Sequence, residues 1–490
     1  MNTRLRDGAR TAALVHLQLA CAVAGLLAAG LVAAAPAVPA IDPFGTETGL
    51  HRAGGAAVPP GRDCALPAGP LELVTAVDLA LCRNPATRAA WAAARQQAAA
   101  LGVAESQWLP SLTGTASETR TDGSVRLLSG TTTPGASAQV SQRTTDAALN
   151  LSWLLYDFGG RGARIGSARR LLDAAAASAD SASQQVVLGA VQAYYGVVAA
   201  DAALAASVSA ELAAARSLDG ARGRRDAGVA TRAAVLQAET AHDQAVLVRV
   251  QAAGQLANAH GTLAVTLGAP ANQPLALAPA PVPTIIPVLE ARISDLLAEA
   301  ARQRPDLAAA EAQRESAAAD VTAARATGRP SISVGASRNY ADTSGFPSQN
   351  YNSIGVNVTV PLFTGFNTTY RVRQAEAALA ARDANAEQLR LQVSLDVWNA
   401  YASLDSAGQQ LRATDALLAS AGENEQVALG RYQAGVGTIV DVLTAQSAAA
   451  GAKQQRIAAE RGWQVARAQL ALALGRLSSA EPLENIGKSP

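Results

Sequence analysis

In 490 residues, 40 Lys and Arg stand against 39 Asp and Glu, and a net charge of +1 leaves no electrostatic footprint for nucleic acid. Aromatics make up 4% and Met occurs once, so side chains for a thick enzyme-like core are scarce. The alanine that dominates the apolar content suits helices packed closely over great length.

Residues 1–40 read as a secretory signal peptide. Arg4, Arg6 and Arg10 precede an uncharged, Ala-rich run from Thr11 to Ala35, with cleavage expected between Ala34 and Ala40. A membrane anchor helix is the alternative. Cys21 lies near the start of that run, whereas a lipidated Cys would close it. Once the signal is removed, Cys64 and Cys82 are the remaining cysteines in an oxidising compartment, where a disulfide is expected to pin the extended segment 41–70 onto the first helix. Two unpaired buried thiols are the alternative.

A first structural repeat is expected over 71–268. Leu73, Val77 and Leu81 recur at helical spacing, the pattern resumes after Asn84-Pro85 as far as Gln107, and Pro110 stops it. Ser111–Ala116 begins a hairpin, Asp122–Thr145 reads as a largely polar loop, and Leu149, Leu151 and Trp153 then alternate with Asn150 and Ser152, as in a strand with one apolar and one wet face. Asp157-Phe158-Gly159 is a strand-to-helix turn, since none of the other kinase sequences accompanies it. A proline-free helix of roughly 60 residues, or about 90 Å, runs to Arg224-Arg225-Asp226-Ala227-Gly228-Val229-Ala230-Thr231, and a helix returns over Ala233–Leu267. A proline-rich crossover spans 269–289.

The second repeat, 290–475, restates this order, and 476–490 is a loose tail. Pro85 and Pro110 match Pro305 and Pro330 at an offset of 220, and Arg224–Thr231 matches Arg431–Thr438 at an offset of 207, so the first half is 13 residues longer between Pro110 and Tyr156. Ile332 and Val334 form a strand, Asn339–Tyr351 reads as a polar loop, and Ile354, Val356, Val358 and Val360 alternate with Gly355, Asn357 and Thr359. At the second tip Thr438 can cap a helix running from Ile439 to Leu474, with Gly435 and Gly437 in the turn.

These elements predict a mainly α fold with a membrane β part. Each half has one hairpin, about ten residues per strand, long enough to cross an outer membrane when tilted. Four strands cannot close a barrel alone, so the edges must pair between chains, and a trimer would make twelve. No mature segment offers about 18 consecutive strongly apolar residues, so no transmembrane helix is expected. His242 and His260 lack ligand spacing and no nucleophile, phosphate-binding or dinucleotide motif occurs, so no enzyme, metal or cofactor is expected.

The signal peptide, the duplicated halves, the hairpin and rod-length helix in each, and the phrases Tyr432-Gln433-Ala434-Gly435 and Thr438-Ile439-Val440-Asp441-Val442-Leu443 resemble the TolC family of outer-membrane export channels. The cysteine pair and the Ala80–Pro85 run are most similar to its CyaE branch, which serves toxin export by type I secretion. The resemblance implies a homotrimer with a twelve-stranded barrel in outer-membrane lipid and a helical tunnel in the periplasm. A periplasmic adaptor would dock on the tips, Gly228, Val229, Ala230 and Thr231 with Gly435, Val436, Gly437 and Thr438, and link them to an inner-membrane ABC transporter. The runner-up is the outer-membrane component of a multidrug or metal efflux pump; a periplasmic coiled-coil structural protein would need soluble strands. The resemblance also implies a periplasmic gate at Tyr432, Asp441 and Thr444, where Thr444 replaces a family aspartate and Ala234 replaces the tyrosine's carboxylate partner, so the closing links should be weaker or rearranged. Asp441 is expected to form a ring of three carboxylates; the alternative is a charge that favours its own helix N-terminus.

Overall fold

The computed structural model describes residues 42–47, 64–66, 69–126, 137–278 and 292–477. The signal segment, Cys21, His16, His51, most of the proline-rich crossover and residues 478–490 lie outside the described residues. Contacts divide the chain into Met1–Glu47 and Thr48–Pro490. In the first unit the Asp42 carboxylate accepts from the Glu47 N–H at 2.7 Å. The second holds two copies of one series of elements.

The first copy comprises helices α1 (Leu73–Arg83) and α2 (Pro85–Glu105), strands β1 (Ser111–Arg126) and β2 (Ser137–Tyr156), and helices α3 (Gly160–Asp226) and α4 (Arg232–Thr266). The second comprises α5 (Ile293–Gln303), α6 (Pro305–Ala326), β3 (Ser331–Thr343), β4 (Gln349–Thr359), α7 (Asn367–Gln433) and α8 (Ile439–Ala473). Pro85 and Pro305 each sit at the first position of a helix, where a missing N–H costs nothing. The long helices α3 and α7 have 67 residues each, so each rod is about 100 Å long. One window of α3 is apolar enough to cross a membrane by length and composition, with a mean hydropathy of 1.5, although none was expected from the sequence; alanine rather than bulky side chains supplies that hydropathy.

The four strands form one antiparallel sheet in the order β1-β2-β3-β4. Its register aligns Leu112, Leu151, Ala336 and Ile354 in one row across all four strands, and Thr113, Asn150, Ser337 and Ser353 in the next. Successive residues point to opposite faces, so one face is apolar and the other polar. On β4 the apolar residues lie open, with Ile354 83% and Val356 65% exposed.

The strands are longer than the expected ten residues: β1 has 16, β2 20, β3 13 and β4 11. Most of the stretch read as a polar loop over 122–145 is strand, as is most of 339–351. Beyond Thr119 the first hairpin carries Thr, Arg, Asp, Gln and Ser on both faces, which removes the alternation while the ladder continues. At about 3.3 Å per residue β2 spans roughly 65 Å, well beyond an apolar band of about 25 Å.

Below the sheet, helices pack side by side in the order α2-α3-α6-α7, and toward the tips in the order α4-α3-α8-α7. Between these two layers lies a waist with two core clusters. One gathers Val77 and Leu81 of α1, Val187, Val191, Tyr194 and Val197 of α3, and Leu263 and Leu267 at the end of α4. The other gathers Leu296 of α5, Val393 and Val397 of α7, and Leu470 and Leu474 at the end of α8. The halves close in the same way. Gly268 and Gly475 adopt φ of 72° and 77°, and a Cβ on either would stand 2.7 Å from the carbonyl oxygen of Arg83 or Gln303, its repeat equivalent. The residue before each proline then donates to a helix-end carbonyl: Asn84 to Thr266 at 2.9 Å and Arg304 to Ala473 at 3.5 Å.

Candidate gate and docking tips

At each tip a long helix ends, the chain turns through a left-handed glycine, and the return helix starts on a threonine cap. Gly228 has φ 77° and Gly435 has φ 79°, and Val229 and Val436 beside them are 74% and 70% exposed. The Thr231 hydroxyl accepts from the Ala234 N–H at 3.3 Å. Thr438 makes a fuller cap: its hydroxyl oxygen accepts from the Asp441 N–H at 3.2 Å, and the Asp441 carboxylate accepts from the Thr438 N–H at 3.0 Å. Gly437 fits tightly, since a Cβ there would meet the Tyr432 nitrogen at 3.0 Å, while its equivalent in the first tip is Ala230.

The two tips are joined. The Arg224 guanidinium lies over the Tyr432 ring, 4.2 Å from its centroid, and donates to the carbonyls of Tyr432 at 2.6 Å and Gln433 at 3.2 Å. Stacking a cation on an aromatic face while it feeds helix-end carbonyls satisfies groups that a helix C-terminus leaves open. Ala234 and Tyr432 pack against one cluster made by Leu218, Ala221, Val235, Ala238 and Ile439, drawn from three helices. At the position where the resemblance implied a carboxylate for Tyr432, the contact is therefore apolar, and an arginine supplies the polar link from another direction.

Asp441 is exposed, and its carboxylate also accepts from the Thr438 hydroxyl at 2.8 Å. The Thr438 N–H, then its hydroxyl, and the Arg431 charge nearby hold the carboxyl below the usual range, so it is ionised at neutral pH. Thr444, one turn further on, shares this exposed face and lines a groove of about 590 Å³ with Gln237, Val440, Leu443 and Ser447. Tyr432 is half-buried against the apolar cluster just described. The three residues expected at the gate thus lie beside the tips on two different surfaces.

The sequence profile of the outer membrane efflux protein family matches residues 76–269 and 296–476, one span for each repeat. The chain belongs to this family. Protein CyaE of Bordetella pertussis is 32% identical over 392 residues, which cover 79% of this chain and 80% of that one. Outer membrane protein TolC of Vibrio cholerae is 30% identical over 196 residues, covering 39% and 45% of the two chains. The solved outer-membrane channel OprN shares the fold, with a TM-score of 0.72 at 23% identity over 82% of this chain and 89% of that one. The protein is accordingly an outer-membrane efflux channel of the TolC-like fold, with a helical tunnel extending into the periplasm.

Two features complete this family member's frame. Cys64 and Cys82 are joined as a disulfide with Cα atoms 6.2 Å apart, tying the segment before α1 to that helix, and Arg83 donates to the Cys64 carbonyl at 2.9 Å. Under the sheet Arg161, 3% exposed, stacks 3.7 Å from the Trp108 ring centroid. It donates to the carbonyls of Gln107, Leu154 and Leu155 at 3.1, 2.7 and 3.1 Å, so one side chain binds the exit of α2 to the end of β2. Sequence reading missed Arg161 and Arg224, because their partners are rings and backbone carbonyls. A lone arginine at the first turn of α3, where dipole arguments favour acids, is the one signal that pointed to the former.

Proposed function

We propose that three copies of this chain form a passive exit duct of a tripartite type I secretion system, carrying an exported protein toxin. The observation that carries this reading is that each layer ends on open edges. Among the described residues the sheet leaves one edge each of β1 and β4 open, and the side-by-side order of the helices puts α2, α4 and α7 at the ends of their layers. Leu391, Leu395 and Trp398 on α7 are 69, 51 and 57% exposed, and Leu247 and Val250 on α4 are 49 and 54% exposed. Joining β4 and α7 of one copy to β1, α2 and α4 of the next satisfies every edge, and three such joints make a twelve-stranded barrel in outer-membrane lipid above one tunnel.

The tips, Gly228–Thr231 and Gly435–Thr438, dock on a periplasmic adaptor that leads to an inner-membrane ABC pump. Their exposed valines give that adaptor an apolar contact on a rigid turn. Arg224 holds the two hairpins of one copy together at Tyr432 and keeps the entrance narrow. Asp441 contributes one ionised carboxylate per copy beside Thr444.

Mass measurement of detergent-extracted protein should give three copies, and a soluble periplasmic monomer would sink the duct. In a secretion assay, Gly435→Trp should assemble yet fail to export; normal export would remove the tips from docking. Multivalent cations should block wild-type conductance and spare Asp441→Ala trimers, whereas equal block would leave Asp441 as a helix cap.

A further inference from the structure

Just above the tips, the four helices α3, α4, α7 and α8 of one chain line a half-open pocket of about 440 Å³. Its walls are mostly small and apolar, among them Ala210, Ala214, Val248 and Leu418. It carries two charged side chains, Glu425 on α7 and Lys453 on α8. Lys453 is exposed, and a lysine there extends its stem along the wall with its ammonium in water.

Glu425 is different. It is half-buried, and among the described residues it has neither a hydrogen-bond nor an ion-pair partner. Burial alone acts on it, raising its pKa with no cation near enough to offset that. Of the other polar groups of the wall, Ser207 and Ser209 donate to the carbonyls of Leu204 and Ala205 and Gln446 accepts from Ser217, while Gln244 and Ser447 add uncharged groups to the lining. The cavity thus presents one unanswered carboxylate over an apolar floor.

The geometry points to a binding site for a small organic cation with an apolar body, its charge set against Glu425 and its hydrocarbon against the alanine walls. A volume of 440 Å³ lies within the range of small-molecule sites, about 300–1,000 Å³. An ion pair gains strength where water is scarce, and the apolar body displaces water from the alanines. A metal ion is a poor occupant, since no group of three or more His, Cys, Asp or Glu suited to one occurs among the described residues. Because all four helices line the space, an occupant would touch both hairpins and fasten them together.

Calorimetry on the full-length protein in a neutral detergent tests this, with benzyltrimethylammonium as probe and the uncharged isostere neopentylbenzene as control. Saturable binding of one cation per chain is expected, about tenfold or more tighter than the neutral compound. Glu425→Gln should abolish that preference, and Lys453→Ala should leave it intact. A wild-type pH series makes the test independent of whether the variants fold. Apart from Glu425, Lys453 is the one charged residue lining the space. Affinity should therefore fall as pH drops from about 7 toward 4.5, as Glu425 takes up a proton. Equal affinity for the two compounds, an unchanged preference in Glu425→Gln, or a flat pH series would each overturn the site.

Discussion

Phe158-Gly159 and Gly365-Phe366 occupy equivalent turns between sheet and long helix, 207 residues apart, and all four residues are left-handed, with φ of 52°, 90°, 60° and 63°. The backbone path has been kept while glycine and phenylalanine have changed places, so the strain of a left-handed Phe, about 1–2 kcal/mol, falls at a different step in each half. Around this shared path the side chains differ. In the first half Arg161 is buried against Trp108 and three carbonyls; its counterpart Thr368 hydrogen-bonds weakly with Thr364, and Phe363 and Phe366 lie 76 and 64% exposed. At the tips the paired arginines also diverge, Arg224 reaching across to the other hairpin and Arg431 staying beside Asp441. Duplication preserved the backbone turns, while the bonds between elements were set separately in each half.

The largest expected break in this pairing is at the junctions. Arg161→Ala strands three carbonyls and should cost about 3–5 kcal/mol, against less than about 1 kcal/mol for Thr368→Ala, read from chemical unfolding of extracted protein. Equal losses would make the halves alike in energy as well as in shape.

At the waist, where the halves agree, Gly268→Ala and Gly475→Ala should each cost about 2–4 kcal/mol, because a Cβ meets backbone at 2.7 Å in a left-handed conformation. The same change at Gly228 or Gly435, where nothing lies within 4 Å, should cost about 1–2 kcal/mol from conformation alone. Similar values at all four sites would show that the waist relaxes around the added methyl.

The sheet offers a comparison of faces. Val356→Arg on the apolar face should lower assembly yield by about 2–4 kcal/mol equivalent near the bilayer midplane, while Asn357→Arg on the polar face should be tolerated. Equal loss from both would contradict the register.

The smallest effect separates the halves by acid. Burial works against the charge of Asp306, but Arg304, donating at 2.6 and 3.0 Å, more than offsets it and holds the carboxyl below its usual range. Its contribution is complete above the ordinary aspartate value, about 3.9, and is lost as pH falls through the depressed one. The first half has Asn84 and Ala86 at these positions and nothing to titrate. Melting of Asp306→Asn should therefore lose part of the wild type's acid sensitivity, and an unchanged acid limb would assign that sensitivity elsewhere.

Much of this architecture was legible because its causes are local or periodic. The repeated tip phrase, the left-handed glycines after each return helix and the alternation of Leu149, Leu151 and Trp153 each act within a few residues. The outer parts of β1 and β2 were illegible because Thr, Ser and Gln on both faces carry no period, and their pairing comes from the neighbouring strand. The Arg224 bond to Tyr432 spans 208 residues and ends on a carbonyl, which every residue possesses, so nothing in the sequence marks it. The sequence around Asp441 and Thr438 predicts a cap or a ring, and the cap is the part formed within a single chain.

The unbroken length of α3 and α7 makes each a lever with its fulcrum at the waist. From Tyr194 to the end of α3 at Asp226 the rod extends about 50 Å. A tilt of about 5° at the fulcrum therefore carries the tip sideways by about 4 Å, more than the diameter of a water molecule. A small shift at the waist, where Asn84 and Arg304 tie helix ends together, is thereby magnified at the tips.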